Sequence, residues 1–179
     1  PYVGLTRTVV TPEYTLPGGR SLSPYSISTY KILNGLYTKK LELSIRDAFV
    51  MHEEVEEMRI LSQDESGEVV FAKVDKIFTS GQKRIYRLKT KKGFEIDASK
   101  DHLFFINDDY IPLSEIKIGD NCVCYDGKKI VEDKIFKIIK TEEFIEMYDM
   151  DVPSTRNLFM NGIKCHNSRW FRYLFSSGT

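Results

Sequence analysis

The stretch NLFMNGIKCHNS, residues Asn157 to Ser168, decides the reading of this chain. An apolar run (Leu158, Phe159, Met160) meets an Asn-Gly pair, the strongest short-range hairpin signal, and a second short run follows. The second run ends on His166, Asn167 and Ser168: an imidazole, a carboxamide and a hydroxyl in consecutive positions. An Asn side chain can attack its own backbone carbonyl, closing a succinimide and expelling the following amine. In water, deamidation normally outruns this cut. Cleavage wins only where the carboxamide is held in line, the scissile oxygen is polarised and the leaving amine is protonated. The adjacent His166 supplies a proton donor, and Ser168 supplies a nucleophile able to receive an acyl group before the cut. The plainer reading is a chance tripeptide at a strand end, so the chemistry needs a second site.

IDASKDHLFF, residues 96–105, supplies one. Ser99 and His102 form a Ser-x-x-His turn between two apolar runs, with Asp101 beside the imidazole. A buried His can polarise a scissile peptide, and the hydroxyl three residues earlier can hydrogen-bond the same group. A lone core histidine is the bland alternative, but two of the chain's three histidines now stand in such positions. The third, His52, reads as a core-facing or half-exposed helix residue. Cys165, beside His166, is a possible assisting thiol, with packing as a small hydrophobe as its plainer role.

Outward from these sites, short alternating runs rich in β-branched and aromatic residues dominate. KRIYRLKT and FEIDAS flank Lys91-Lys92-Gly93, with Tyr86, Leu88, Phe94, Ile96 and Ala98 as inward positions. HLFFI and YIPL flank Asn107-Asp108-Asp109, and NCVCY and KKIV flank Asp126-Gly127. KIFKIIK and EFIEMYDMDV read as further strands. One helix is predicted in LSIRDAFVMHEEVEEMRI, where Ile45, Phe49, His52 and Val55 recur at helical spacing. The class is all-β with one or two short helices.

At this point the residues resemble an intein. GFEIDASKDHLFF is similar to the family's Thr-x-x-His block, with Ser in place of Thr. EIKIGD followed by NCVCY resembles the element that leads into the next strand. MYDMDVPSTRNLFMNGIKCHNS resembles the C-terminal splicing block. The likeness covers roughly residues 85 to 168. It implies a horseshoe-shaped HINT (hedgehog/intein) fold and protein splicing through acyl shift, transesterification, Asn cyclisation and a final shift to a normal peptide. It also implies that Asp149 tunes the nucleophiles; a solvated strand carboxylate is the alternative. Arg156 departs from the family, which often has a second His there. An Arg cannot shuttle a proton near neutral pH, though it can hold a carbonyl.

The upstream junction is where the sequence departs from the likeness. Such splicing starts on a Cys or Ser, and no Cys stands in the first 121 positions. Reading VVTPEYTLPGGRSLS as the opening block puts Val9 at the nucleophile position. The expected parts are then an upstream flank at 1–8, a splicing domain at 9–167 and a downstream flank at 168–179. Val has no lone pair, so splicing would be arrested or begin directly at Ser168. The rival registers open at Ser21 or Ser26.

The 179 residues suit one domain, a mini-intein without a nuclease, with DGKKIVEDK as the exposed loop where larger relatives carry one. Twenty-six basic and 26 acidic side chains leave no net charge to draw the chain to nucleic acid. No apolar run reaches a membrane span, and no signal peptide opens the chain. Three cysteines without ligand spacing argue against a metal, and no cofactor is implied. A cytoplasmic monomer whose partners are its own flanks is expected. The alternatives are a HINT domain that only cleaves and a non-catalytic β binding module.

Overall fold

The computed structural model describes residues 20–167. Its strands run, in chain order, β1 (Ile27–Asn34), β2 (Tyr37–Ser44), β3 (Glu57–Gln63), β4 (Val69–Lys73), β5 (Lys76–Thr90) and β6 (Glu95–Ala98). Then follow β7 (Leu103–Ile106), β8 (Asp109–Pro112), β9 (Asn121–Tyr125), β10 (Ile130–Asp151), β11 (Asn157–Met160) and β12 (Ile163–His166). The helix α1 (Ile45–His52) lies between β2 and β3.

The expected hairpins form. β5 and β6 pair in a register that puts Leu88 opposite Ile96, both buried, as do β7 with β8 and β9 with the start of β10. The β7–β8 turn is tighter than expected: Asn107 and Asp108 both take positive φ, and Asp109 already belongs to the strand.

Three expectations are corrected. The helix stops at His52, because Met58 and Ile60 are buried in β3 opposite β1, and strand pairing overrides the helical spacing of the sequence. Ser44 caps its start by accepting from the Asp47 amide. KIFKIIK and EFIEMYDMDV are one strand, β10, bent by register shifts near Phe136, after Lys140 and at Met147. DGKKIVEDK is not an open loop: only 126–129 turn, and Ile130 begins β10.

The strands form a sheet ordered β2-β1-β3-β4 and a larger one ordered β11-β12-β7-β9-β10-β5-β6, with β8 beside β7. Tyr30, Phe104, Phe159, Leu22, Met58 and Ile60 are among the largest fully buried side chains. Each contributes about 1.5–3 kcal/mol over an exposed position. Asn157 ties the two sheets: its Nδ2 donates to the Gln63 carbonyl and its Oδ1 accepts from the Gln63 amide, both at 2.9 Å. This fixes β11, and through the β11–β12 hairpin it fixes the chain entering Asn167.

Candidate active site

The segment at Ser21 and Leu22 is stitched in from both sides. Leu22 exchanges hydrogen bonds with Tyr148 of β10, its amide donating at 2.7 Å and its carbonyl accepting at 2.8 Å. One residue earlier, the Ser21 amide donates to Ser99 Oγ at 2.9 Å, and the Ser99 amide donates to the Ser21 carbonyl at 2.8 Å. Ser99 sits at the turn after β6, so the Ser-x-x-His turn grips the backbone on the downstream side of the Arg20–Ser21 peptide. Ser21 is fully buried.

His102 closes the same turn, its amide donating to the Ser99 carbonyl at 3.1 Å. The ring is fully buried, its edge against Phe104 at 5.0 Å between centroids. Neither ring nitrogen has a hydrogen-bond partner among the described residues. Burial pushes its pKa down to about 3, with the charges of Arg20 and His166 adding in the same direction. His102 is therefore neutral near pH 7 and keeps both a donor and an acceptor for a reacting group.

At the other end, β12 delivers Asn167 into full burial. Its amide donates to the Arg156 carbonyl at 3.1 Å. Its side-chain Nδ2 donates to Asp151 Oδ1 at 3.3 Å and to the Val152 carbonyl at 3.2 Å. Both partners accept, so the atom facing them is the nitrogen, the nucleophile that cyclisation requires. His166 Nδ1 lies 2.6 Å from the Asn167 carbonyl oxygen. That oxygen can only accept, so in the tautomer with its proton on Nδ1 the ring polarises the carbonyl after which the chain would be cut. The ring is held edge-on by Tyr110, at 4.7 Å between centroids.

Arg20 joins the two ends. Its Nη1 donates to the Asn167 carbonyl at 3.2 Å and lies 3.2 Å from His166 Nδ1. Burial lowers the guanidinium's pKa, and the Asp149 carboxylate opposes the shift. Asp149 is buried on β10, its Oδ1 accepting from the Met150 amide at 2.8 Å. It also helps burial push the Cys165 thiol well above its ordinary pKa. Cys165 therefore stays a protonated, fully buried thiol, which suits packing rather than assistance.

The sequence candidates Ser99, His102, Asp149, His166 and Asn167 thus converge with Ser21. Ser26 does not: it contacts Ser23 and the Asp97 carbonyl. Arg156, expected as a possible assisting residue, is exposed and meets Asn167 through its main chain, its carbonyl accepting from the Asn167 amide, at φ 64°. Val9 and Ser168 lie outside the described residues. Sequence reasoning missed Arg20 and Asp151. Alternation with Asp149 along β10, which puts both carboxylates on one face, was the available signal for Asp151. No group of three metal-ligating side chains occurs among the described residues.

No family model matches the chain. Among solved structures, it is similar to a DnaB intein from Synechocystis sp. PCC 6803, at 27% identity and a TM-score of 0.68, over 83% of this chain and 99% of that one. It also resembles the VidaL intein at a TM-score of 0.70 over 82% and 96%, where 13% identity speaks for the fold alone. Among curated proteins, 83 residues match the RNA polymerase subunit Rpo1N of Methanocaldococcus jannaschii at 30% identity, covering 46% of this chain. A DNA polymerase of Thermococcus aggregans matches at 26% over 128 residues, covering 65% of this chain. The matched segments are 6% and 7% of those polymerases, so the chain spans only a small fraction of either.

This antiparallel β domain, with Arg20, Ser21 and Asn167 gathered on one buried site, is an autocatalytic HINT domain. The chain belongs to the inteins: it is a mini-intein, and its activity is a single turnover of protein splicing upon itself.

Proposed function

We propose that splicing begins at Ser21 and ends at Asn167, with residues 1–20 as the upstream flank and 168–179 as the downstream one. Ser21 Oγ attacks the Arg20 carbonyl carbon, the C–N bond to Ser21 breaks, and an ester with a free Ser21 amine results. Ser99 holds the junction backbone. His102 is the general acid and base that moves the proton from Oγ to the departing amine. Asp149 orients the charges between the junctions. Ser168 Oγ then takes the acyl group, leaving Ser21 as a free hydroxyl. Asn167 Nδ2 attacks its own carbonyl carbon and the bond to residue 168 breaks. A final oxygen-to-nitrogen shift joins the flanks by a peptide.

The observation that carries this register is the pair of hydrogen bonds between Ser21 and Ser99, at 2.9 and 2.8 Å, while Arg20 reaches the Asn167 carbonyl. A first residue of Ser supplies the lone pair that Val9 lacks. The bonds from Asn167 Nδ2 favour splicing over a HINT domain that only cleaves. The flanks are the partners of the reaction, and action in cis needs one copy alone. Three buried free thiols suit a cytoplasmic setting, and no helix among the described residues is long and apolar enough to cross a membrane.

The test is intact mass spectrometry of the chain fused between two unrelated tags. A joined tag–tag product and an excised fragment of residues 21–167 are expected. A fragment beginning at residue 9 would favour the Val9 register, and a chain that stays whole would overturn the scheme.

A further inference from the structure

Cyclisation of Asn167 needs a group to take a proton from Nδ2 as that nitrogen attacks. The groups usually invoked for such work are engaged elsewhere or turned away. His166 Nδ1 is committed to the Asn167 carbonyl oxygen, and Arg156 presents its side chain to solvent. Two acceptors touch Nδ2: the Val152 carbonyl at 3.2 Å and Asp151 Oδ1 at 3.3 Å. A peptide carbonyl is far too weak a base to keep the proton, whereas a carboxylate can hold it.

Asp151 is fully buried at the end of β10, where the Asp75 amide donates to its carbonyl at 2.9 Å and fixes the strand. It lies two residues from Asp149 on the same face. The two carboxylates divide the site: Asp149 acts electrostatically on Arg20 and Cys165, and Asp151 contacts Asn167.

From this geometry we infer that Asp151 is a catalytic residue of splicing, the general base that activates the Asn167 carboxamide. The role rests on the reading that Asn167 cyclises. As the Nδ2–C bond forms, one Nδ2 proton passes to Asp151 Oδ1. The bond from the Asn167 carbonyl carbon to the nitrogen of residue 168 breaks, and that amine takes up one proton, balanced when Asp151 gives up the one it received. The succinimide keeps the second Nδ2 proton. No oxidant or cofactor enters the balance.

Asp151→Asn separates proton transfer from positioning, because its side-chain oxygen can accept the same hydrogen bond but is not a base. The full chain, Asp151→Asn, Asp151→Thr and Asn167→Ala are followed by intact mass, each below its own thermal midpoint by circular dichroism. The readout is the rate at which the fragment ending in a succinimide at 167 appears. Both Asp151 variants are expected to slow it about 100-fold, the usual scale for one general base. If Asp151→Asn runs within tenfold of the parent, the carboxylate only positions the amide and the proposal fails. A cut after 167 that survives Asn167→Ala would instead overturn the cyclisation reading, whatever the Asp151 variants do.

Discussion

Arg20 donates from Nη1 to the carbonyl oxygen of Asn167, 3.2 Å away across 147 residues of sequence. With the upstream junction proposed at Ser21, this side chain of the flank is placed to polarise the downstream bond. Removing it in a Ser21→Ala background, where the upstream flank stays attached, isolates that contribution. Arg20→Ala, Ser21→Ala is expected to cut after Asn167 about tenfold more slowly than Ser21→Ala alone, the effect of one lost charge-assisted hydrogen bond. Time courses by intact mass read the ratio.

Position 21 makes a sharper prediction. Ser21→Ala removes the attacking oxygen and is expected to abolish the joined product while leaving a cut after Asn167. Ser21→Cys keeps a nucleophile and converts the ester into a thioester. Added thiol should then release the upstream flank ending at Arg20, which mass spectrometry reads directly.

His102 carries a prediction about pH. Its folded pKa near 3 lies below the ordinary value of 6.5, so the unfolded chain binds the extra proton between those limits. Stability therefore falls as pH drops below 6.5, by up to about 1.4 kcal/mol per pH unit from this one group. Urea unfolding at pH 7 and pH 5 checks it: His102→Gln should show a smaller difference between the two than the parent.

Gly162 tests how far the hairpin sets the downstream junction. At φ +80° an added Cβ would sit 2.6 Å from the Phe94 ring and 3.0 Å from the Tyr125 carbonyl. Gly162→Ala is expected to cost about 2 kcal/mol or more and to slow cleavage after Asn167, read by thermal melting and mass spectrometry.

Much of this was legible in the sequence, and for a physical reason. Turn chemistry is local, so Lys91-Lys92-Gly93, Asp126-Gly127 and Asn161-Gly162 marked real hairpins. His166 and Asn167 stood out in the sequence because the chemistry proposed for them needs adjacency. The β1–β2 hairpin and the β3 strand were not, because β2 is largely solvent-exposed and the spacing from Ile45 to Val55 mimics a longer helix. Arg20 was invisible for another reason: its role depends on a contact across the whole domain. Asp151 sat in plain view in EMYDMDV, but only burial and the distance to Asn167 separate it from a solvated strand carboxylate.

The clamp at Ser21 and Leu22, with Arg20 meeting Asn167, closes a 147-residue excursion at its base. A chain interrupted by such a domain leaves and returns at almost the same place. The insertion then acts on its surroundings like a tight hairpin bend, imposing little stretch on the polypeptide either side. The same closure keeps the two loose ends within reach when the domain departs, so that rejoining is a local event rather than a search through solution.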